Sequence, residues 1–108
     1  MPPSQETQEK INQLSMMEQS LQQFLAQKQQ MQAQLLEVES ALEEIEKTDS
    51  AFKIVGNIMV ATDKASLKED LDKKKELAEL KIKTVEKQED KLREKTQELQ
   101  AEVMKGMK

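Results

Sequence analysis

Ala51-Phe52-Lys53-Ile54-Val55-Gly56-Asn57-Ile58-Met59-Val60-Ala61 is the stretch that decides the fold. Two apolar, β-branched runs flank Gly56-Asn57, and a two-residue link of this kind predicts a β-hairpin over residues 51–61. Gly tolerates φ > 0 and Asn tolerates the left-handed region, as primed turns require. On the N-terminal side, Lys47-Thr48-Asp49-Ser50 reads as a helix end and a loop. On the other side, Thr62-Asp63 closes the hairpin. Either Asp63 or Ser66 can cap the next helix, because Ser66-Leu67-Lys68-Glu69 has capping-box spacing.

Outward from the hairpin lie two stretches without Gly or Pro, about 5–47 and about 64–105, each predicted to be one helix. Pro2 and Pro3 make a short non-helical start, and Gly106 ends the second helix. In the first stretch Leu14, Leu21, Lys28, Leu35 and Leu42 recur every seven residues. Met17, Phe24, Met31, Val38 and Ile45 recur offset by three. Nine of these ten positions are apolar, which is the seam of a coiled coil. In the second stretch Leu71, Ala78, Val85, Leu92 and Leu99 recur every seven, with mixed companions Lys75, Ile82, Glu89, Thr96 and Val103. Its polar face carries Glu69–Lys73, Asp70–Lys74, Glu79–Lys83 and Glu89–Arg93 in the favourable acid-first order.

If the helices fold back on each other, facing residues have numbers with a constant sum. Leu14 with Leu99, Leu21 with Leu92, Lys28 with Val85, Leu35 with Ala78, and Leu42 with Leu71 all give 113. Half of 113 falls between Gly56 and Asn57, where the turn is expected from local chemistry. The fold class is therefore mainly α: a long antiparallel two-helix coiled coil joined by a short β-hairpin, one domain over residues 1–108. Glu89 falls opposite Phe24 and Lys75 opposite Val38, and each charge is expected to snorkel out of the seam.

Composition narrows function. Aromatics are 2% and charged residues 35%, too little apolar bulk for a compact core. Absence of Cys and His removes thiolate chemistry, the commonest general base and the commonest transition-metal ligand. Two helices make no cleft, and Glu43, Glu44 and Glu46 read as a solvated face. No phosphate-binding Gly-rich loop is present. No enzyme, no cofactor and no metal are expected. The net charge of −4 argues against a nucleic-acid partner, and Lys73-Lys74-Lys75 is a short run flanked by acids. No apolar run approaches a membrane span or a signal peptide, so a cytoplasmic location is expected. Residues 1–50 carry 3 basic and 9 acidic groups, whereas 51–108 carry 14 and 12, so the halves differ in sign and favour pairing.

An isolated hairpin is marginal in water. Phe52, Ile54, Ile58 and Val60, with Val55 and Met59 at alternate positions, leave both faces apolar and both edges open. Pairing with hairpins of other subunits, in a larger sheet or barrel, is the simplest remedy. Leu36, Leu77 and Leu80 lie off the seam, and either pack beneath such a barrel or broaden the seam.

A helix, β-hairpin and helix in a chain of this size resemble the β class of prefoldin subunits, archaeal type. The segment Phe52-Lys53-Ile54-Val55-Gly56-Asn57-Ile58-Met59-Val60 is similar to that family's aromatic-Lys-x-Val-Gly-Asn-apolar stretch. Gln27-Lys28-Gln29, Ala41-Leu42-Glu43-Glu44 and Glu86-Lys87-Gln88-Glu89 resemble it more weakly. The resemblance implies a hetero-hexamer with α-class subunits, two α and four β, whose hairpins form a double β-barrel. It implies an ATP-independent holdase that captures non-native client proteins at its coiled-coil tips and delivers them to a group II chaperonin. Residues for assembly are then Phe52, Ile54, Val55, Gly56, Asn57, Ile58, Met59 and Val60. Residues for client contact at a fraying tip are Ile11, Leu14, Met16, Met17, Leu99, Val103, Met104 and Met107. Met suits varied partners because its flexible thioether repacks readily. The alternative is a structural coiled-coil scaffold or tether that captures no clients.

Overall fold

The computed structural model describes residues 4–107, so the expectation for Pro2 and Pro3 lies outside the described residues. The elements are α1 (Gln5–Glu46), β1 (Ala51–Val55), β2 (Ile58–Thr62) and α2 (Lys64–Gly106). The strands pair antiparallel in a two-stranded sheet. Ala51 faces Thr62, Phe52 Ala61, Lys53 Val60, Ile54 Met59 and Val55 Ile58, so every pair sums to 113. Gly56 has φ +62° and is the one described residue with positive φ. That sign pattern fits a type II′ turn, with Gly at its first central position. Asn57 therefore does not enter the left-handed region that its residue type permits.

Helix starts are set by short side chains. Ser4 is the N-cap of α1: its Oγ accepts from the Thr7 backbone N–H (3.1 Å), and its hydroxyl donates to Thr7 Oγ1 (2.9 Å). Asp63, not Ser66, stands at the cap of α2. The Leu67 N–H donates to the Asp63 carbonyl (3.0 Å), and the Ser66 hydroxyl donates to Asp63 Oδ2 (3.2 Å). The α1–β1 link is held by Thr48, whose Oγ1 donates to the Ser50 carbonyl (3.1 Å) and accepts from the Ser50 N–H (3.3 Å).

The chain forms two compact units, a hairpin unit (Gln30–Ile82) and a terminal unit (Met1–Gln29 with Lys83–Lys108). In the hairpin unit, Ile45, Ala51 and Ala78 are buried, and Leu35, Val38, Leu42, Leu71 and Ile82 are half-buried. Lys68 Nζ lies 2.7 Å from Glu46 Oε1. This hydrogen bond, with the attraction of the charges, holds the Glu46 carboxyl below its ordinary range and Lys68 above its own. The lowered carboxyl favours the fold above the ordinary carboxylate range, an advantage that fades as pH falls through the lowered value.

In the terminal unit, Thr7, Val85, Glu89, Thr96 and Val103 are buried, while Leu14, Met17, Leu21, Phe24, Lys28, Leu92 and Leu99 are half-buried. The Thr96 hydroxyl lies 3.7 Å from Met17 Sδ and 2.8 Å from the Leu92 carbonyl; its single proton goes to the closer, stronger acceptor. Met17 and Thr96 again sum to 113. So do Thr7 and Gly106, where a Cβ on the glycine would lie 2.5 Å from Thr7 Oγ1. Glycine thus lets the helices approach closely, a role beyond ending α2.

Glu89 does not snorkel. Its side chain is 4% exposed and its Oε1 accepts from Lys28 Nζ at 3.0 Å. Oε2 accepts no hydrogen bond among the described residues, and Arg93 stands 3.6 Å away, inside ion-pair range only. Lys28 breaks the apolar seam of α1 at one position, and its ammonium answers the one acid in the seam of α2. Breaking such a pair strands a charge, while replacing both partners by apolar groups is close to neutral. Lys28→Met is expected to destabilise the chain by about 3 kcal/mol in urea unfolding, at the low end because Arg93 remains near. Lys28→Met/Glu89→Leu is expected to return to within about 1 kcal/mol of the parent or exceed it. Additive losses would exclude this account.

Candidate interaction surfaces

The register sorts the hairpin side chains into two faces, since cross-strand partners share a face. Phe52, Ile54, Met59 and Ala61 lie on one, and Lys53, Val55, Ile58 and Val60 on the other. Ile58 and Val60 therefore belong with Val55, and Met59 joins Phe52 and Ile54, a different grouping from the one expected from sequence. Phe52, Ile54, Val55, Ile58, Met59 and Val60 are 42–73% exposed. Each strand has one unpaired edge, because the sheet has two strands. Six exposed apolar side chains on ten strand residues form the kind of patch that marks an interface.

Leu36, Leu77 and Leu80 in the same unit are 51–65% exposed, so they do not broaden the intramolecular seam. Leu77 borders a groove with Val38, Ala78, Lys74 and Lys81. A second groove runs between β1 and α2, with Phe52 and Ile54 on one wall and Leu67 and Leu71 on the other. Lys53, Asp70, Lys73 and Lys74 line the same groove, so its walls mix apolar and charged side chains.

The terminal unit is different. Met16, Met104 and Met107 are 62–68% exposed. Ile11, Leu14, Met17 and Leu99 are half-buried, and Val103 is buried in the seam. The helix ends are closed: Ser4 caps α1, Thr7 packs on Gly106, and Lys10 Nζ reaches Glu102 at 3.3 Å. That contact raises the Lys10 pKa, chiefly through its hydrogen bond to Glu102. Contact of Val103 with anything outside the seam requires these closures to open. Leu25, 44% exposed beside the seam residue Phe24, is an apolar surface residue that periodicity did not single out. The Ser4 cap was visible in principle as a small hydroxyl residue ahead of a long helix. The Thr7–Gly106 approach left no sequence signal beyond the constant sum.

Among the described residues, no group of acidic side chains is arranged to hold a metal ion, and no helix is long and apolar enough to cross a membrane. The buried carboxylate of Glu89 lies in a helix seam against Lys28. Chemistry that these surfaces support is apolar association.

Residues 8–108 match the family described as prefoldin subunit. A prefoldin subunit beta of Archaeoglobus fulgidus is 42% identical over 93 residues, covering 83% of this chain and 80% of the relative. The prefoldin subunit beta of Thermococcus onnurineus is 40% identical over 101 residues, covering 91% of this chain and 87% of the relative. The crystal structure of the prefoldin beta subunit from Thermococcus strain KS-1 superposes with a TM-score of 0.90 at 34% identity, covering 96% of this chain and 94% of that one.

If the hairpin faces are buried by other subunits, a charge on either one blocks association without disturbing the helices. Ile54→Lys and Ile58→Lys, one on each face, are each expected to leave helical circular dichroism intact and to lower the assembled mass in light scattering. An unchanged mass for both would remove the hairpin as the assembly surface.

Proposed function

This chain belongs to the prefoldin subunit family, a family of non-enzymatic chaperone subunits, and we propose that it acts in the cytoplasm as an ATP-independent holdase. Its hairpin joins the hairpins of sister subunits, in a complex of two α-class and four β-class chains, through a shared β-barrel. Its helix ends hold non-native proteins and pass them to a group II chaperonin.

One observation carries this reading: the chain presents two exposed apolar surfaces of different chemistry. The hairpin surface is rich in β-branched residues and open strand edges, suited to a fixed partner that adds strands. The terminal unit presents Met16, Met104 and Met107 exposed and Ile11 half-buried, suited to partners of varied shape. Several such chains around one body add avidity to weak single contacts. A scaffold for folded partner helices would have little use for scattered exposed methionines.

The test is to change Ile11, Met16, Met104 and Met107 together to Ser, assemble the chain with its α-class partner, and follow aggregation of a denatured protein without nucleotide. Suppression is expected to fall severalfold while the complex keeps its mass. Three of the four side chains are mostly exposed, so the substitutions cost little packing. Full suppression by an intact variant complex would sink the capture reading and favour the scaffold.

A further inference from the structure

We infer that Met16, Met104 and Met107 are reversible oxidation sites, at each of which a peroxide converts thioether to sulfoxide and so weakens client holding. The inference rests on the capture reading above.

Sequence supplies the first reason. The chain has seven Met and no Cys, His, Trp or Tyr, so a mild two-electron oxidant meets thioether sulfur as its reactive side chain. Structure supplies the second. Met16, Met104 and Met107 are 68%, 65% and 62% exposed, whereas Met17 is half-buried in the seam with its sulfur against the Thr96 hydroxyl at 3.7 Å. Met31 is half-buried on the α1 seam as well. Met59 is exposed on the hairpin, on the face it shares with Phe52 and Ile54, which the proposed assembly would cover. Oxidant access therefore divides the described methionines by role: those exposed in the terminal unit react, those of the seam are shielded, and Met59 is shielded where the proposed assembly covers it.

The chemistry balances with hydrogen peroxide as co-reactant. A sulfur lone pair attacks one peroxide oxygen, the S–O bond forms and the O–O bond breaks. The departing hydroxide takes the proton of the transferred oxygen and leaves as water. Sulfur is oxidised by two electrons and peroxide is reduced. The product is a polar sulfoxide, which no longer favours burial against an apolar client segment, while the seam that holds the helices together is untouched. A thiol-dependent methionine sulfoxide reductase reverses the change.

Adjacent Met16 and Met17 make the test internal to one peptide. The complete complex with its α-class partner is treated with hydrogen peroxide, quenched with catalase and divided. Peptide mass spectrometry is expected to show Met16, Met104 and Met107 oxidised severalfold faster than Met17. The second portion is expected to suppress aggregation of a denatured protein severalfold less well, and to recover after reductase treatment. Met16→Leu/Met104→Leu/Met107→Leu, which removes the sulfur, is expected to show the same holding before and after peroxide treatment, whatever its starting level, whereas holding by the parent falls. It also separates the effect from oxidation of the partner chain. Equal oxidation of Met16 and Met17, or undiminished holding by the oxidised parent, overturns the inference alone. A complex that holds no client even before oxidation overturns the capture reading and the inference with it.

Discussion

One reversal of direction, at Gly56-Asn57, governs the register of everything else. The positive φ of Gly56 lets β2 return along β1 with each pair summing to 113. The same sum recurs far from the turn, at Met17 with Thr96 and at Thr7 with Gly106. Loops Thr48–Ser50 and Asp63 hand the helices to the hairpin without changing the count. A coiled-coil seam repeats every seven residues and would tolerate other alignments; a hairpin with a two-residue link does not. Local turn chemistry thus selects among registers that hydrophobic periodicity leaves nearly equivalent.

The seam then adds its own selectivity. Ala78 and Val85 are small or β-branched and let the helices come close, while the Lys28–Glu89 contact places one positive and one negative group together in a mostly apolar strip whose other polar members include Lys75 and Thr96. Such a pair adds little net stability relative to apolar replacements, because desolvation offsets attraction. It penalises every arrangement in which either charge lies alone. Glycine at 106 extends close approach to the end of α2, where Thr7 fills the space that any larger residue would need.

Legibility of the sequence followed the strength of its periodic signals. Leu14, Leu21, Leu35 and Leu42 marked the seam of α1, and Leu71, Ala78, Val85, Leu92 and Leu99 that of α2; in the structure each is half-buried or buried. The hairpin was legible because few residues besides Gly permit its turn. Paired events were harder to read. Glu89 looked like an exposed interruption until its distance to Lys28, 61 positions away, was known. Asn57 was permitted a conformation that it does not adopt, since residue type states tolerance and not use. Ile58 and Val60 were placed on the wrong face because a two-residue turn inverts alternation across it, and only the register settles which residues share a side. Val103 looked available at a fraying end; in the structure it is buried in the seam, and its periodicity alone does not say whether that end opens.

The two exposed surfaces differ in stiffness, and that difference has a physical consequence. Val55, Ile54, Ile58 and Val60 are β-branched, with χ1 already restricted by the strand, so little side-chain entropy is lost when they are buried. A surface of this kind favours one permanent, shape-matched neighbour. Methionine has three rotatable bonds beyond Cα and loses more freedom on ordering, which weakens each contact while allowing many different ones. A subunit that works as proposed, staying assembled while releasing what it holds, needs both kinds of surface. In this chain β-branched strands, with the thioether of Met59 among them, lie next to the turn, and three further exposed thioethers lie on the helix segments nearest the chain ends.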